Sequence, residues 1–384
     1  MSIIANNKMK KICFVTAIPT SAEVFLRDHM KALREEYEVF YVSNEQDVNN
    51  VRVPVDGYYC VNIQRKISIC HDIRALWDLY KYFRKEKFDA VHSVTPKAGL
   101  LTSIAAFCAR VPVRVHIYTG QVWANKSGLM RFILKTMDRM IALFDNHILV
   151  DGEGQRQFLI SNRVISAKNS KVLGSGSICG VNLDRFSPSA DVREEKRREL
   201  CIDDSKTVFV FMGRLNHDKG VYELLSAYNR IASEREDVYL LLFGHDEENV
   251  SATIGDYQNI KTASNFCYYG ATSEPHKMLQ AGDVFVLPTY REGFGSSVIE
   301  ASALGLPVIC SDAYGVMDAM VDDVTGLRCK VGDIDSLYSA MVKLADDKNL
   351  QNYLGNNGRD RVTREFNGAD VTKNWVQFYA ELFK

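Results

Sequence analysis

Short apolar runs alternate with helix-like segments along most of the chain. Apolar runs of four to six residues, bounded by turn-forming residues, are typical of strands that are buried on both faces. The strands predicted in the first half are Lys11–Thr16, Glu38–Ser43, Asp89–Val94, Val113–Tyr118 and Asn146–Val150, and the helices are Ala22–Arg34, Arg74–Lys85, Gly99–Ala109 and Leu129–Phe144. This alternating order predicts βαβ units and a parallel sheet.

A second series of the same kind begins after about Val181. Its predicted strands are Thr207–Met212, Val238–Phe243, Val284–Leu287 and Pro307–Cys310, separated by helices that include Val221–Ala232 and Ile334–Ala345. Because single cores stop growing well below 384 residues, we predict an α/β protein of two Rossmann-like domains, residues 1–180 and 181–365. The glycine-rich segment Gly174–Gly180 would join them. Ligands of open α/β sheets bind beyond the carboxyl ends of the strands, so we expect a site in the cleft between the domains.

Composition excludes several classes of protein. The chain is 46% hydrophobic and carries a formal net charge of −1, which argues against bulk nucleic-acid binding. Its nine cysteines are odd in number and include no C-x-x-C pair, so we expect reduced thiols in a cytoplasmic protein. Met1–Lys10 lacks an apolar signal core, and no 18-residue apolar run occurs, so a membrane-spanning protein is not expected.

The stretch Glu292-Gly293-Phe294-Gly295-Ser296-Ser297-Val298-Ile299-Glu300 follows a predicted strand and opens a predicted helix, Ser296–Leu304. Its glycines allow a tight turn and a close approach to a ligand. Ser296 and Ser297 are candidate N-caps, and the free amides there suit a phosphate or a sugar oxygen. Two carboxylates around such donors suit a polyhydroxylated, phosphorylated ligand. A plain strand–turn–helix with a dipole-stabilising glutamate also fits.

The loop Gly213-Arg214-Leu215-Asn216-His217-Asp218-Lys219-Gly220 follows another buried strand. Arg214 can hold two phosphate oxygens at once and Lys219 adds a mobile charge, so the pair could bind a diphosphate. A charged surface loop with a helix cap is the alternative interpretation. The acidic pairs Asp203-Asp204 and Asp322-Asp323 lie in turn-like contexts, so we predict no metal site. The glycines of 174–180 and of 152–154 lack dinucleotide spacing, which disfavours NAD.

These two motifs together resemble the E-x7-E and G-R-x4-K-G signatures of the retaining glycosyltransferases of family 4, which have the two-domain GT-B fold. The resemblance implies that Arg214 and Lys219 bind the donor diphosphate and that Glu300 binds the nucleotide ribose. It also implies that Glu292, with the amides of Phe294, Gly295 and Ser296, holds the donor sugar beside Gly213. In GT-B proteins the terminal helix, here in residues 366–384, crosses back to the first domain.

The string His116-Ile117-Tyr118-Thr119-Gly120-Gln121-Val122-Trp123 is similar to the H-T-x-T-G-Q-V-W segment of bacterial members that build lipid-linked surface polysaccharides such as capsule and O-antigen. This likeness implies a role for His116 near the donor sugar, as a hydrogen-bond partner or proton relay. His92 is a weaker candidate and fits a structural role. Two departures from the family are the glycine-free loop Thr16–Ala22, whose contact with the donor is in doubt, and Asn182, which replaces an aspartate and keeps only a capping role.

The resemblance implies a retaining, metal-independent transferase with no cofactor, which moves a sugar from a nucleotide donor, a UDP-linked hexose or N-acetylated amino sugar, to a polyprenyl-diphosphate-linked glycan. Two alternatives stay open: a nucleotide-sugar 2-epimerase or glucan synthase on the same fold, and a non-catalytic partner that binds nucleotide sugars. Donor isomerisation without acceptor would mark the epimerase.

A lipid-linked acceptor requires the protein to dock at the inner face of the membrane. Arg131, Lys135 and Arg139 recur every fourth residue, beside apolar side chains, on the predicted helix Leu129–Phe144. This stripe could bind an anionic membrane surface. An amphipathic core helix with a solvated basic face is the alternative.

Overall fold

The computed structural model describes residues 9–64 and 68–384; the first eight residues of the predicted N-terminal segment lie outside these ranges. The chain forms two compact units. The first contains the residues up to Cys179 together with Ala369–Lys384, and the second contains Gly180–Gly368. The chain thus leaves the first unit at the end of the glycine-rich segment 174–180 and returns to it after Gly368.

A parallel sheet in the order β3-β2-β1-β4-β5-β6-β7 forms the centre of the first unit. Its strands are β1 (Lys11–Val15), β2 (Glu38–Ser43), β3 (Gly57–Cys60), β4 (Ala90–Val94), β5 (Val113–Tyr118), β6 (His147–Val150) and β7 (Ser170–Lys171). The helices are α1 (Pro19–Phe25), α2 (Arg27–Leu33), α3 (Ile69–Glu86), α4 (Pro96–Cys108), α5 (Gly128–Phe144) and α6 (Glu153–Ser161). Alternate residues of β1 enter two different apolar clusters, Ile12 and Phe14 on one face of the sheet and Cys13 and Val15 on the other. Both faces are therefore covered, as the apolar runs predicted.

The helix predicted over Ala22–Arg34 is in fact two helices. The two helices meet at Leu26, whose φ of −119° departs from regular helix geometry. Leu26 itself, Ala22 on α1 and Met30 on α2 are all buried. The break thus falls at a residue packed in the apolar core of the first unit.

The second unit also has an all-parallel sheet, in the order β10-β9-β8-β11-β12-β13. Its strands are β8 (Thr207–Met212), β9 (Val238–Phe243), β10 (Phe266–Gly270), β11 (Val284–Leu287), β12 (Val308–Ser311) and β13 (Gly326–Cys329). Its helices are α7 (Ala190–Glu199), α8 (Val221–Glu234), α9 (Pro275–Met278), α10 (Ser296–Ala303), α11 (Val316–Ala319), α12 (Ile334–Asp346) and α13 (Lys348–Glu365). Each strand order places neighbours that are distant in sequence side by side, which is the doubly wound α/β arrangement.

The last helix, α14 (Gly368–Leu382), packs on the first unit through aromatic contacts. Trp375 is stacked between the imidazoles of His29 (4.6 Å between ring centroids) and His92 (4.9 Å). His92 Nδ1 lies 2.8 Å from the Tyr379 hydroxyl. His29 Nδ1 lies 2.9 Å from the Thr372 hydroxyl. His92 is thus part of the packing that holds α14, in agreement with the structural role expected of it.

Within the two described ranges, no helix combines the length and the hydropathy that crossing a membrane would require.

Candidate functional site

Both predicted motifs lie at the carboxyl ends of adjacent strands in the second unit. The loop that contains Arg214 and Lys219 follows β8, and the loop that contains Glu292 follows β11. These strands are paired in the sheet, Val284 opposite Phe209. Because parallel strands end at one edge, the two loops emerge side by side.

Lys219 and Glu292 form a direct ion pair that joins the two motifs. Both side chains are largely buried, with exposed fractions of 18% and 14%. Asp218 adds two further links, since its backbone carbonyl accepts from the Tyr290 amide (2.9 Å) and its carboxylate accepts from Arg291 (2.6 Å). The two loops therefore form one cross-linked structure in which a cation and a carboxylate lie at the same point.

Arg214 has a different partner. Its Nη1 donates to both carboxylate oxygens of Glu247, at 3.1 and 2.8 Å. Asn216 Nδ2 also donates to this carboxylate, at 2.8 Å. The Arg214 side chain remains 48% exposed, so it can turn toward a solvent-borne anion if the contact with Glu247 opens.

Three glycines allow the close backbone packing behind these loops. Gly220 has φ +69°, and a Cβ there would lie 2.0 Å from the Pro288 carbonyl oxygen. A Cβ on Gly244 (φ +138°) would lie 1.8 Å from the Gly213 carbonyl oxygen. A Cβ on Gly315 (φ +83°) would lie 2.5 Å from the Gly293 carbonyl oxygen, so all three sites exclude side chains. Neither Gly244 nor Gly315 was predicted from the sequence, although Gly244 directly follows a buried strand, which was the available signal.

Helix α10 begins one residue earlier than the proposed serine caps imply. Gly295 is its N-cap, in the left-handed conformation (φ +90°), and no side chain caps the helix. The expectation that Ser296 or Ser297 caps it is therefore wrong, because both are already inside the helix. Their backbone amides are the first two of α10 and have no acceptor within the helix, so they can bind an anion. Phe294 is buried against Phe366 (5.2 Å between ring centroids) and anchors this turn.

Glu300 lies in the second turn of α10, in surroundings quite unlike those of Glu292. Burial raises the pKa of its carboxyl group to about 7, and the positive charge of Arg185 acts weakly in the opposite direction. Asn182 lies three residues before Arg185, and its Oδ1 accepts from the Arg185 amide at 2.9 Å. Asn182 thus retains the capping role that the sequence suggested.

His116 belongs to the first unit, where it is almost completely buried. Its Nδ1 lies 2.8 Å from the Ser93 hydroxyl, and a Cβ on Gly99 of α4 would come within 2.4 Å of the ring. Burial lowers the pKa of His116 to about 3, so the imidazole is neutral. It could donate or accept a hydrogen bond, and its role near a sugar stays a prediction.

The loop Thr16–Ala22 folds onto its own backbone. The Thr16 hydroxyl donates to the Ile18 carbonyl at 2.8 Å, and α1 begins at Pro19. A contact of this loop with a donor stays untested.

The basic stripe of α5 faces groups of its own unit instead of forming a free solvated surface. Burial raises the pKa of Asp138 on this helix to about 7, and the carboxylate accepts from the Trp123 indole at 2.6 Å. The Trp123 ring in turn lies 5.2 Å from both Arg131 and Lys135. The three cations donate as follows: Arg131 to the Ala124 carbonyl (2.9 Å), Lys135 to Asn162 Oδ1 (3.0 Å) and Arg139 to the Arg163 carbonyl (3.0 Å). The three cations therefore contact Trp123 or the end of α6, and their binding to a membrane stays a prediction.

Each half of the chain matches a known protein family. Residues 21–173 match the family model described as a glycosyl transferase 4-like domain, and residues 192–361 match glycosyl transferases group 1. The capsular polysaccharide biosynthesis glycosyltransferase CapM of Staphylococcus aureus is 31% identical over 85% of each chain. An Escherichia coli relative, UDP-Gal:alpha-D-GlcNAc-diphosphoundecaprenol alpha-1,3-galactosyltransferase, is 28% identical over 82% of this chain and 80% of its own.

The fold is that of HepE from Anabaena, solved in complex with UDP, with a TM-score of 0.79 and 17% identity over 97% of this chain and 100% of that one. Its likeness shows the fold, and the similarity to the staphylococcal relative shows the family. The chain belongs to the GT-B glycosyltransferases of family 4.

Proposed function

We propose that this glycosyltransferase moves a sugar from a UDP-linked donor to a polyprenyl-diphosphate-linked glycan, with retention of the anomeric configuration and without a metal ion or other cofactor. The observation that carries the donor site is the Lys219–Glu292 pair beside the first amides of α10. It brings a cation, a carboxylate and free backbone donors to one edge of the sheet. The name of the Escherichia coli relative, which specifies a UDP-sugar and a diphosphoundecaprenol-linked acceptor, supports the choice of substrates.

The donor diphosphate would be bound by Arg214, Lys219 and the amides of Ser296 and Ser297. Transfer breaks the bond between the anomeric carbon and the β-phosphate oxygen and forms one to the acceptor hydroxyl oxygen. The hydroxyl proton passes to the departing diphosphate. Negative charge grows on the β-phosphate as the bond breaks, and fixed cations with a helix N-terminus stabilise that charge.

Binding of the diphosphate would require both cations to exchange partners. Arg214 is held by Glu247 and Lys219 by Glu292. When the phosphate takes over Lys219, the Glu292 carboxylate becomes an acceptor for sugar hydroxyls beside the amides of Phe294 and Gly295. The exchange couples phosphate binding to sugar binding. We assign Glu300, one helical turn further along α10, to the ribose hydroxyls.

The acceptor and its membrane location are parts of the same proposal. A polyprenyl-linked glycan remains in the bilayer, so the protein would work as a peripheral protein at the inner face of the membrane. Arg131, Lys135 and Arg139 stay candidates for this contact, and each also donates to a partner within its own unit.

The deciding experiment is transfer from a panel of nucleotide sugars to a synthetic, short-chain prenyl-diphosphate glycan. Mass spectrometry identifies the product, and NMR of its anomeric proton gives the configuration. Transfer that survives chelation with EDTA supports the metal-independent reaction, whereas complete loss that Mg²⁺ or Mn²⁺ restores refutes it. Clean inversion refutes retention. Donor binding without transfer or hydrolysis, for every sugar tested, would contradict catalysis itself.

A further inference from the structure

The outer helices of the first unit expose an apolar surface. On α3, Ile69, Ile73 and Trp77 follow one another at intervals of four residues and are 73%, 62% and 55% exposed. This spacing places them on one face of the helix. Phe107, near the end of the neighbouring helix α4, is also half exposed. A contiguous apolar row such as that of α3, rimmed by polar residues, is typical of an interaction surface.

An open groove of about 400 Å³ lies between α3 and α4. Its lining is almost wholly apolar and includes Ile73, Leu76, Trp77 and Tyr80 from α3 and Ile104 and Cys108 from α4. A groove with few polar groups offers no hydrogen-bond pattern for a sugar or a nucleotide. It matches an apolar chain.

Basic side chains border the apolar row. Arg74, Lys81 and Lys85 are exposed on the adjoining strip of α3, with one acidic residue, Asp78, in the same strip. The Lys81 ammonium lies 5.3 Å from the centre of the Trp77 ring. An apolar row beside a basic row on one helix is the pattern of a helix that lies at the headgroup level of an anionic bilayer.

We propose that α3 and α4 dock the protein on an anionic phospholipid bilayer, with the apolar chain of a lipid in the groove beneath Trp77. This docking surface rests on the proposed function, because it would be where the membrane association proposed above takes place. Vesicle binding can nevertheless be measured without any sugar transfer. Helix α5 offers a rival surface, because Leu129 and Phe132 are exposed there too. On that helix, however, the neighbouring cations are occupied within the unit.

Tryptophan fluorescence gives a direct test. The chain has three tryptophans, of which Trp123 and Trp375 are buried and Trp77 is exposed, so Trp77 reports contact with lipid. Full-length protein is mixed with phosphatidylglycerol–phosphatidylcholine vesicles that contain brominated acyl chains. We expect a blue shift, bromine quenching and weaker binding in high salt, with little response to vesicles of phosphatidylcholine alone.

Variants locate the contact. Ile73→Glu should weaken vesicle binding about tenfold or more. It removes an isoleucine that the bilayer would bury and adds a negative charge that the anionic lipids repel. Lys81→Glu should also weaken it. Tyr353→Glu is the matched control, because Tyr353 is similarly exposed (53%) but lies on α13 of the second unit. Circular dichroism and urea midpoints establish that each variant is folded.

The outcomes separate this proposal from the proposed function. Loss of transfer to a bilayer-embedded acceptor by Ile73→Glu, with transfer to the short-chain acceptor retained, supports the docking surface. Absence of quenching in the wild type overturns it. So does vesicle binding by Ile73→Glu that equals the wild type, or loss of binding in Phe132→Glu alone. Vesicle binding through Trp77 in a protein that transfers no sugar would leave the surface standing and refute the proposed function.

Discussion

If Glu300 binds the donor ribose, the affinity for the donor should depend on pH. If the ribose hydroxyls donate to Glu300, the ionised carboxylate is the binding form, because hydrogen bonds to a charged acceptor are the stronger ones. Burial raises the pKa of this group to about 7. The ionised fraction is then roughly nine-tenths at about pH 8 and roughly one-tenth at about pH 6. We therefore expect the Kd of a UDP-sugar to be about tenfold weaker at the lower pH.

Isothermal titration with UDP-glucose and related donors measures this directly, because the charge on their diphosphate stays constant over the range. Glu300→Gln keeps the shape of the side chain but not its charge. It should weaken binding about tenfold or more at the higher pH and remove most of the pH dependence. The matched control, Glu236→Gln, changes an exposed glutamate of the same unit and should leave the profile unchanged.

The same ionisation has the opposite effect on folding, which provides an independent check. A carboxyl group whose folded-state pKa lies above its unfolded value stabilises the fold below the unfolded pKa, and that contribution is lost as pH rises through about 7. Wild type should thus lose stability relative to Glu300→Gln between about pH 5 and 8 while it gains donor affinity. Donor affinity that is equal at both pH values, or a Gln variant that keeps the full pH dependence, would refute the assignment of Glu300.

Three further predictions concern other contacts of the two units. Arg214→Ala and Lys219→Ala should each lower kcat about 10²–10³-fold at saturating donor, because charge on the leaving diphosphate grows toward the transition state; near-normal turnover in both would show that they do not bind it. Glu247→Gln should lower the donor KM about three- to tenfold with little change in kcat, since it weakens the pair that holds Arg214 in the absence of donor; an unchanged KM would mean that the pair does not compete. Burial lowers the pKa of His29 to about 4. The stability that its neutral form provides is complete above the unfolded pKa and falls as pH drops toward 4. At about pH 5, urea unfolding should therefore show that wild type has lost about 2 kcal/mol more unfolding free energy than His29→Gln. Equal losses in the two proteins would contradict a buried neutral histidine.

The strongly apolar strands were predictable from sequence to within a residue. β2, β5, β8, β9 and β11 have the predicted bounds, because a short apolar run bounded by turn-forming residues is typical of a buried strand. Short or half-exposed strands were missed. β3, Gly57–Cys60, is an edge strand with two exposed residues, and neither its composition nor its periodicity distinguishes it from a loop.

The sequence also indicated which family the chain belongs to, and it supplied the candidate side chains of the site. The E-x7-E and G-R-x4-K-G spacings marked Arg214, Lys219, Glu292 and Glu300 as candidates for one site before any coordinates. The spacing works because glycines and polar residues at strand ends leave few other conformations, and because parallel strands end at the same edge.

The environment of each of those side chains was decided by the tertiary structure alone. Glu292 and Glu300 are the same residue type eight positions apart, yet Glu292 is paired with Lys219, whereas burial raises the pKa of Glu300 to about 7. The Arg214–Glu247 pair joins residues 33 positions apart. The basic stripe of α5 has the period of a surface helix, but its cations face the Trp123 ring and the end of α6. The sequence pattern shows the type and the spacing of side chains. The partner, the burial and the charge state of each side chain depend on elements that only folding brings into contact.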